Sequence, residues 1–222
     1  MVDIPRPSLT LVTDRTLYRP RAEKKGDPLS LVEAAIAGGV NIVQLRARTS
    51  QDDLGLFAVA MRLRELTAGK VCFVVTGDLE LAEKCGADGV LLPERSYRPS
   101  EARSFLRGEA QIVGAFAHSV AGAGRAERGG ADYIQIGPAF EPDVVDGEQA
   151  GLTLIRKVKD AVNLPVIAFG GVRTPAHVGD CLGAGADGVA VTDAITRAAD
   201  PQSAAAGLRA ALDAAWRITQ SG

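Results

Sequence analysis

Gly185-Ala186-Asp187-Gly188-Val189-Ala190 has three counterparts upstream: Gly38-Gly39-Val40-Asn41-Ile42-Val43, Gly86-Ala87-Asp88-Gly89-Val90-Leu91 and Gly130-Ala131-Asp132-Tyr133-Ile134-Gln135. Each follows a helical pattern and runs straight into a short apolar strand. Glycine ends a helix in the left-handed conformation without a side-chain penalty, and Asp or Asn turns the chain into the strand. A joint repeated four times implies a repeated βα unit.

Four more β-rich runs lie between these strands, at Leu9–Thr13, Val71–Val75, Gln111–Ala115 and Pro165–Phe169, which brings the count to eight. Helical patterns follow, for example at Leu29–Ala37, Asp52–Leu66, Leu79–Cys85, Val120–Arg128, Leu152–Ala161 and Pro175–Leu182. The strands are near-continuous apolar runs, as expected of a parallel sheet covered by helices. Eight parallel strands close a (β/α)8 barrel. The alternative, a doubly wound open sheet, gives no reason for an alternate-strand repeat that continues to the C-terminus. The expected organisation is one domain over residues 1–222, with a barrel core from about 9 to 212.

Composition narrows the function by exclusion. A formal charge of -2 predicts no attraction to nucleic acid or to a membrane surface. No apolar leader and no long apolar run appears, so the chain is expected to be cytoplasmic. Cys72, Cys85 and Cys181 have neither metal nor redox spacing and are expected to pack as small hydrophobes.

Barrel active sites sit at the C-terminal ends of the strands, so function is sought in eight loops. Strand two delivers Gln44, Arg46 and Arg48 in alternation, all on one face. Strand four leads to Glu94 and Ser96, strand five to Phe116 and His118, and strand six to Phe140-Glu141-Pro142-Asp143. Gly170-Gly171 after strand seven and Thr192-Asp193 after strand eight have the form of a phosphate cradle, in which glycine lets the backbone approach and helix-opening amides supply positive potential. The same glycine pair also suits a plain tight turn. Arg46 and Arg48 could grip a substrate carboxylate or pair with Glu94 or Glu141. Glu141 reads equally as a second acid/base group or as a counter-ion of Arg48. A basic loop from Arg15 to Lys25 could close as a lid or stay solvated.

Taken together, Gln44-Leu45-Arg46, Ala87-Asp88-Gly89-Val90, Gly114 with His118-Ser119, Gly137-Pro138-Ala139-Phe140, Ala168-Phe169-Gly170-Gly171-Val172 and Gly188-Val189-Ala190-Val191 resemble the thiamine phosphate synthase family in content and order. A sister branch, the TenI-like thiazole tautomerases, shares the barrel and the thiazole-phosphate pocket. The resemblance implies a small thiazole or related anionic metabolite as partner and a homo-oligomer as one expected state. Synthases join a pyrimidine pyrophosphate to a thiazole phosphate with magnesium held by two aspartates. Here the matching positions are Gly77, preceded by Thr76, and Ser96; Asp78 falls one residue late, which turns its side chain to the other face. The family's Thr-x-Thr-Lys segment, which grips pyrophosphate, is replaced by a stretch with Pro142, Val144 and Val145.

These departures direct the expectation to the tautomerase branch, whose Phe-Glu-Thr-Asp loop Phe140-Glu141-Pro142-Asp143 resembles. The expected enzyme is an isomerase that moves a proton without metal or other cofactor, using His118 near neutral pH. Two alternatives stand beside it: a synthase with a diverged magnesium and pyrophosphate site, the one reading in which magnesium would be needed, and a barrel that binds a thiamine-pathway metabolite without turning it over. His177, inside a helix, is expected at the surface and away from the mouth. Asp193, where the family has serine, is expected either to pair with Arg173 or to have displaced the phosphate.

Overall fold

The computed structural model describes residues 4–13, 29–46, 53–106, 111–140 and 150–220. Its strands are β1 (Ser8–Val12), β2 (Ile42–Arg46), β3 (Cys72–Thr76), β4 (Gly89–Leu92), β5 (Ile112–Ala117), β6 (Tyr133–Ile136), β7 (Val166–Phe169) and β8 (Gly188–Val191). They form one closed parallel barrel in chain order, sealed by the pairing of β8 with β1 through Leu9 and Val189. Helices alternate with them: α1 (Ser30–Ala37), α2 (Asp53–Thr67), α3 (Leu79–Cys85), α4 (Pro99–Phe105), α5 (Val120–Arg128), α6 (Ala150–Ala161), α7 (Pro175–Gly183), the short α8 (Asp193–Thr196) and α9 (Pro201–Gln220). This is a (β/α)8 barrel.

Alternation along each strand sorts the buried side chains into two sets. Val43, Leu45, Phe73, Val75, Val90 and Leu92 face outward and pack with the helices. Ile42, Val74, Leu91, Ile112, Tyr133, Ile167 and Ala190 fill the barrel interior. Interior glycines make room for that filling: a Cβ on Gly114 would lie 2.2 Å from the Tyr133 ring, and one on Gly188 would lie 2.5 Å from the Ser8 side chain.

The four joints have the backbone that the sequence implies. Gly39, Gly86, Gly130 and Gly185 take φ values of 101°, 64°, 87° and 96°. The polar residue after each does more than turn the chain. Asn41, Asp88, Asp132 and Asp187 accept the backbone N–H of Leu9, Phe73, Val113 and Val166, at 2.8, 2.8, 2.7 and 2.8 Å. Each joint therefore ties an even-numbered strand to the start of the strand before it. Every carboxylate among them also meets a cation from the helix that precedes the first strand of its pair, Arg64 of α2, Arg103 of α4 or Lys159 of α6, while neutral Asn41 needs none.

Asp187 is the most buried of these acids, 5 % exposed, with Lys159 Nζ at 2.6 Å. Asp187→Ala strips both the lysine and the Val166 N–H of their acceptor and should cost about 3 kcal/mol of stability. Urea denaturation checks this. A loss under about 1 kcal/mol would mean that water takes over both bonds.

Cys85 and Cys181 are buried and Cys72 is half-buried, as small hydrophobes would be. Burial pushes the thiols of Cys72 and Cys181 up to about 12, with Asp88 adding to the effect at Cys72 and Asp180 at Cys181. Among the described residues no helix is long and apolar enough to cross a membrane.

Candidate active site

Parallel closure places the ends of all eight strands at one mouth. Arg46, His118, Gly170, Gly171, Thr192 and Asp193 stand at that end of their strands or just beyond, and Gln44 lies mid-strand in β2. Arg48, Glu141, Pro142, Asp143, Val144, Val145 and the loop from Arg15 to Lys25 lie outside the described residues.

Gln44 is buried and directs its amide into the interior, donating to Thr76 Oγ1 at 2.9 Å. It braces β2 against β3 and leaves Thr76 occupied. Arg46, one layer higher, is exposed, and its guanidinium has no partner among the described residues. Glu94 is not its counter-ion. That carboxylate is held at β5 and α5, with Oε2 at 2.7 Å from His118 Nδ1 and accepting the His118 backbone N–H at 3.2 Å. Its other oxygen lies 3.4 Å from Arg125. A carboxylate on Nδ1 holds the imidazole proton there and turns Nε2 outward. The His118 side chain is 59 % exposed and tilts against the Phe116 ring at 4.6 Å.

Just beyond β7, Gly170 and Gly171 both take left-handed backbone, φ 91° and 72°. Their conformation brings β7 hard against the β6 loop, where Phe140 N–H donates to Gly170 O at 3.1 Å. The amides of Gly170 and Gly171 themselves have no acceptor among the described residues. Thr192 caps α8 without a side-chain bond, so the first amides of that helix are also open. Asp193 pairs with Arg197 at 3.1 Å and not with Arg173. The ion pair follows from helix spacing, since residues four apart share a face.

His177 stands elsewhere than its sequence position implies. Thr174 caps α7 by accepting the His177 N–H at 3.2 Å, and the imidazole reaches the Gly171 carbonyl at the mouth. The ring stacks on Phe140 at 4.2 Å, and Nδ1 lies 3.2 Å from both the Arg173 N–H and Gly171 O. It buttresses the glycine pair. Only the packing of α7 against the β6 loop reveals this, and a helical pattern in sequence carries no such information.

Among the described residues, the positions that match the family's magnesium ligands offer no magnesium site. Gly77 has no ligand to offer, and Asp78 Oδ1 is occupied as the cap of α3, accepting Leu81 N–H at 2.9 Å. Ser96 donates its hydroxyl to Pro93 O at 2.8 Å. Among the described residues no cluster of His, Cys, Asp and Glu could hold a metal. A hard dication requires several convergent oxygens, and the strand-three and strand-four loops do not converge any.

Comparison with known proteins settles the lineage. The family model for thiamine monophosphate synthase matches residues 9–195. The chain belongs to that family. It is 39% identical over 210 residues to a thiamine-phosphate synthase of Methanoculleus marisnigri, covering 93% of this chain and 96% of the relative. A second such synthase, from Natronomonas pharaonis, is 43% identical over 189 residues, covering 82% and 86%. The solved thiamine phosphate pyrophosphorylase from Pyrococcus furiosus superposes with a TM-score of 0.80 at 29% identity, over 94% of this chain and 96% of that one.

These findings overturn the tautomerase expectation. Relatives across nearly the whole chain are named synthases, so the comparisons point to a transferase and not to an isomerase. The tautomerase reading leaned on the strand-six loop. Of its four residues only Phe140 is described, and Phe140 spends its ring on His177, a packing role that carries no information about proton transfer.

Proposed function

We propose that the protein makes thiamine phosphate by joining a pyrimidine pyrophosphate to a thiazole phosphate. The similarity to thiamine-phosphate synthases along almost the full chain carries this reading. In the reaction a thiazole nitrogen forms a bond to the pyrimidine methylene carbon as the carbon–oxygen bond to pyrophosphate breaks. The thiazole phosphate rests on the open amides of Gly170 and Gly171 and on those that begin α8, beside Thr192 and Asp193. Arg197 offsets the charge of Asp193, so the acid leaves the phosphate in place.

The chemistry asks chiefly for neutralisation of a departing pyrophosphate. This chain meets it without magnesium, through Arg46 at the end of β2 and the imidazole of His118 held by Glu94. Both are cationic or proton-donating groups at the mouth, and neither is committed to an interior partner. An arginine is always charged and presents paired donors to a phosphate.

The two substrates should therefore give thiamine phosphate at rates ordinary for an enzyme, about 1 per second or more, and an excess of chelator should leave the rate unchanged. Product detected by chromatography is the readout. No product with or without magnesium overturns the synthase reading. Product that appears only with magnesium overturns the metal-free half of it.

A further inference from the structure

A groove of about 470 Å³ runs between α4, α5 and the outer wall of the barrel, with Leu92 and Ala115 at its floor. Arg98, Arg125 and Arg128 are among the residues that line it, against one lining acid, Glu94. Arg98 and Arg128 have no ion-pair partner among the described residues. Glu101, the nearest acid on α4, is committed to the Arg98 backbone N–H at 2.8 Å and does not line the groove.

The groove depends on glycine at two places, one on α5 and one at its C-cap. A Cβ on Gly122 would come 2.3 Å from Glu94 Oε1, and one on Gly129 would come 3.0 Å from Pro99 at the start of α4. These residues are seven apart, on one face of the helix, with Arg125 between them. The Arg128 guanidinium folds back along the same helix, 3.2 Å from where a Gly124 Cβ would stand. So α5 places two of the three cations, and its bare face lets Glu94 and Pro99 close the ends.

We propose that this groove binds a small anion carrying two or more phosphate groups. Its volume falls in the range of small-molecule sites, and guanidinium groups match phosphate oxygens in pairs. Of the three lining arginines Arg125 alone pairs with the one lining acid among the described residues, and a polyphosphate supplies the counter-charge the others lack. Arg125 links the groove to the mouth. An anion that draws Arg125 from Glu94 leaves His118 as the remaining side-chain partner of that carboxylate.

The probe is inorganic tripolyphosphate, followed by calorimetry at low ionic strength, where exposed charges are least screened. The wild-type protein should bind it, and Arg98→Ala with Arg128→Ala should weaken binding about tenfold or more. That double variant should still form thiamine phosphate at the wild-type rate, so failure of the groove and failure of the proposed reaction give different results. Binding should also shift the NMR signals of the His118 imidazole in the wild type and not in the double variant. Equal dissociation constants in the two proteins, or no binding at millimolar probe, would overturn the site. Binding with the His118 signals unmoved would overturn its link to the mouth.

Discussion

Gly114→Val should leave little folded protein, with a loss of about 4 kcal/mol or more. The residue pairs with Tyr133 across β5 and β6, and its missing side chain is where the Tyr133 ring lies: an added Cβ would be 2.2 Å from Cζ and 2.6 Å from Oη. Tyr133 is 2% exposed in the filled interior of the barrel, so the ring has nowhere to go. Burial also pushes its phenol well above the ordinary tyrosine value, which keeps it neutral and makes it part of the packing. Relief should come from the ring side: Tyr133→Leu in the Gly114→Ala background should recover stability relative to Gly114→Ala alone. A urea midpoint for Gly114→Val close to that of the wild type would show that the interior yields more than close packing allows.

The barrel was legible because its punctuation is local. A left-handed glycine needs no distant partner to be recognised, and all four joints adopt it. Strand ends were less so. β5 runs to Ala117, two residues beyond the sequence reading, because Phe116 and Ala117 still find partners in Gln135 and Ile136 of β6. Pairing of that kind belongs to the neighbour strand and leaves no mark on β5 itself. The bonds of Asn41, Asp88, Asp132 and Asp187 to preceding strands were invisible for the same reason: sequence shows an acid before a strand, never the amide it reaches.

The site divided along similar lines. Glycines after β7 announce a close approach of backbone to something, and Gly170 and Gly171 can be read without knowing what they approach. Side-chain partners were harder. Arg46 looked equally ready for a substrate carboxylate or for an acid such as Glu94, and the fold gives Glu94 to His118 and Arg125, which stand just after β5 and on α5. His177 was misjudged because an exposed helix position does not say what the exposed ring leans on. The reaction itself was misread because a handful of loop departures outweighed the likeness of the whole chain. Those departures bear on how pyrophosphate is neutralised, a narrower matter than which bond is made.

Gly171→Val should lower kcat/KM for thiamine phosphate formation roughly a hundredfold, equivalent to about 2.7 kcal/mol, with KM for the thiazole phosphate taking much of the change. Two costs combine at this position. Its φ of 72° is left-handed, which strains any residue with a Cβ and a branched one most. In addition, the Cβ would stand 2.3 Å from Phe140 O, a backbone atom that moves only if the β6 loop moves with it. That loop carries Phe140, on which His177 stacks, so displacement spreads along the contacts that brace the glycine pair. Stability should fall far less, because Gly171 lies in a loop at the mouth and not among the filled layers of the interior. Steady-state kinetics well below the variant's melting temperature, where it is fully folded, therefore isolates the effect. Unchanged kinetics in a folded Gly171→Val protein would show that the thiazole phosphate is held somewhere other than the glycine pair.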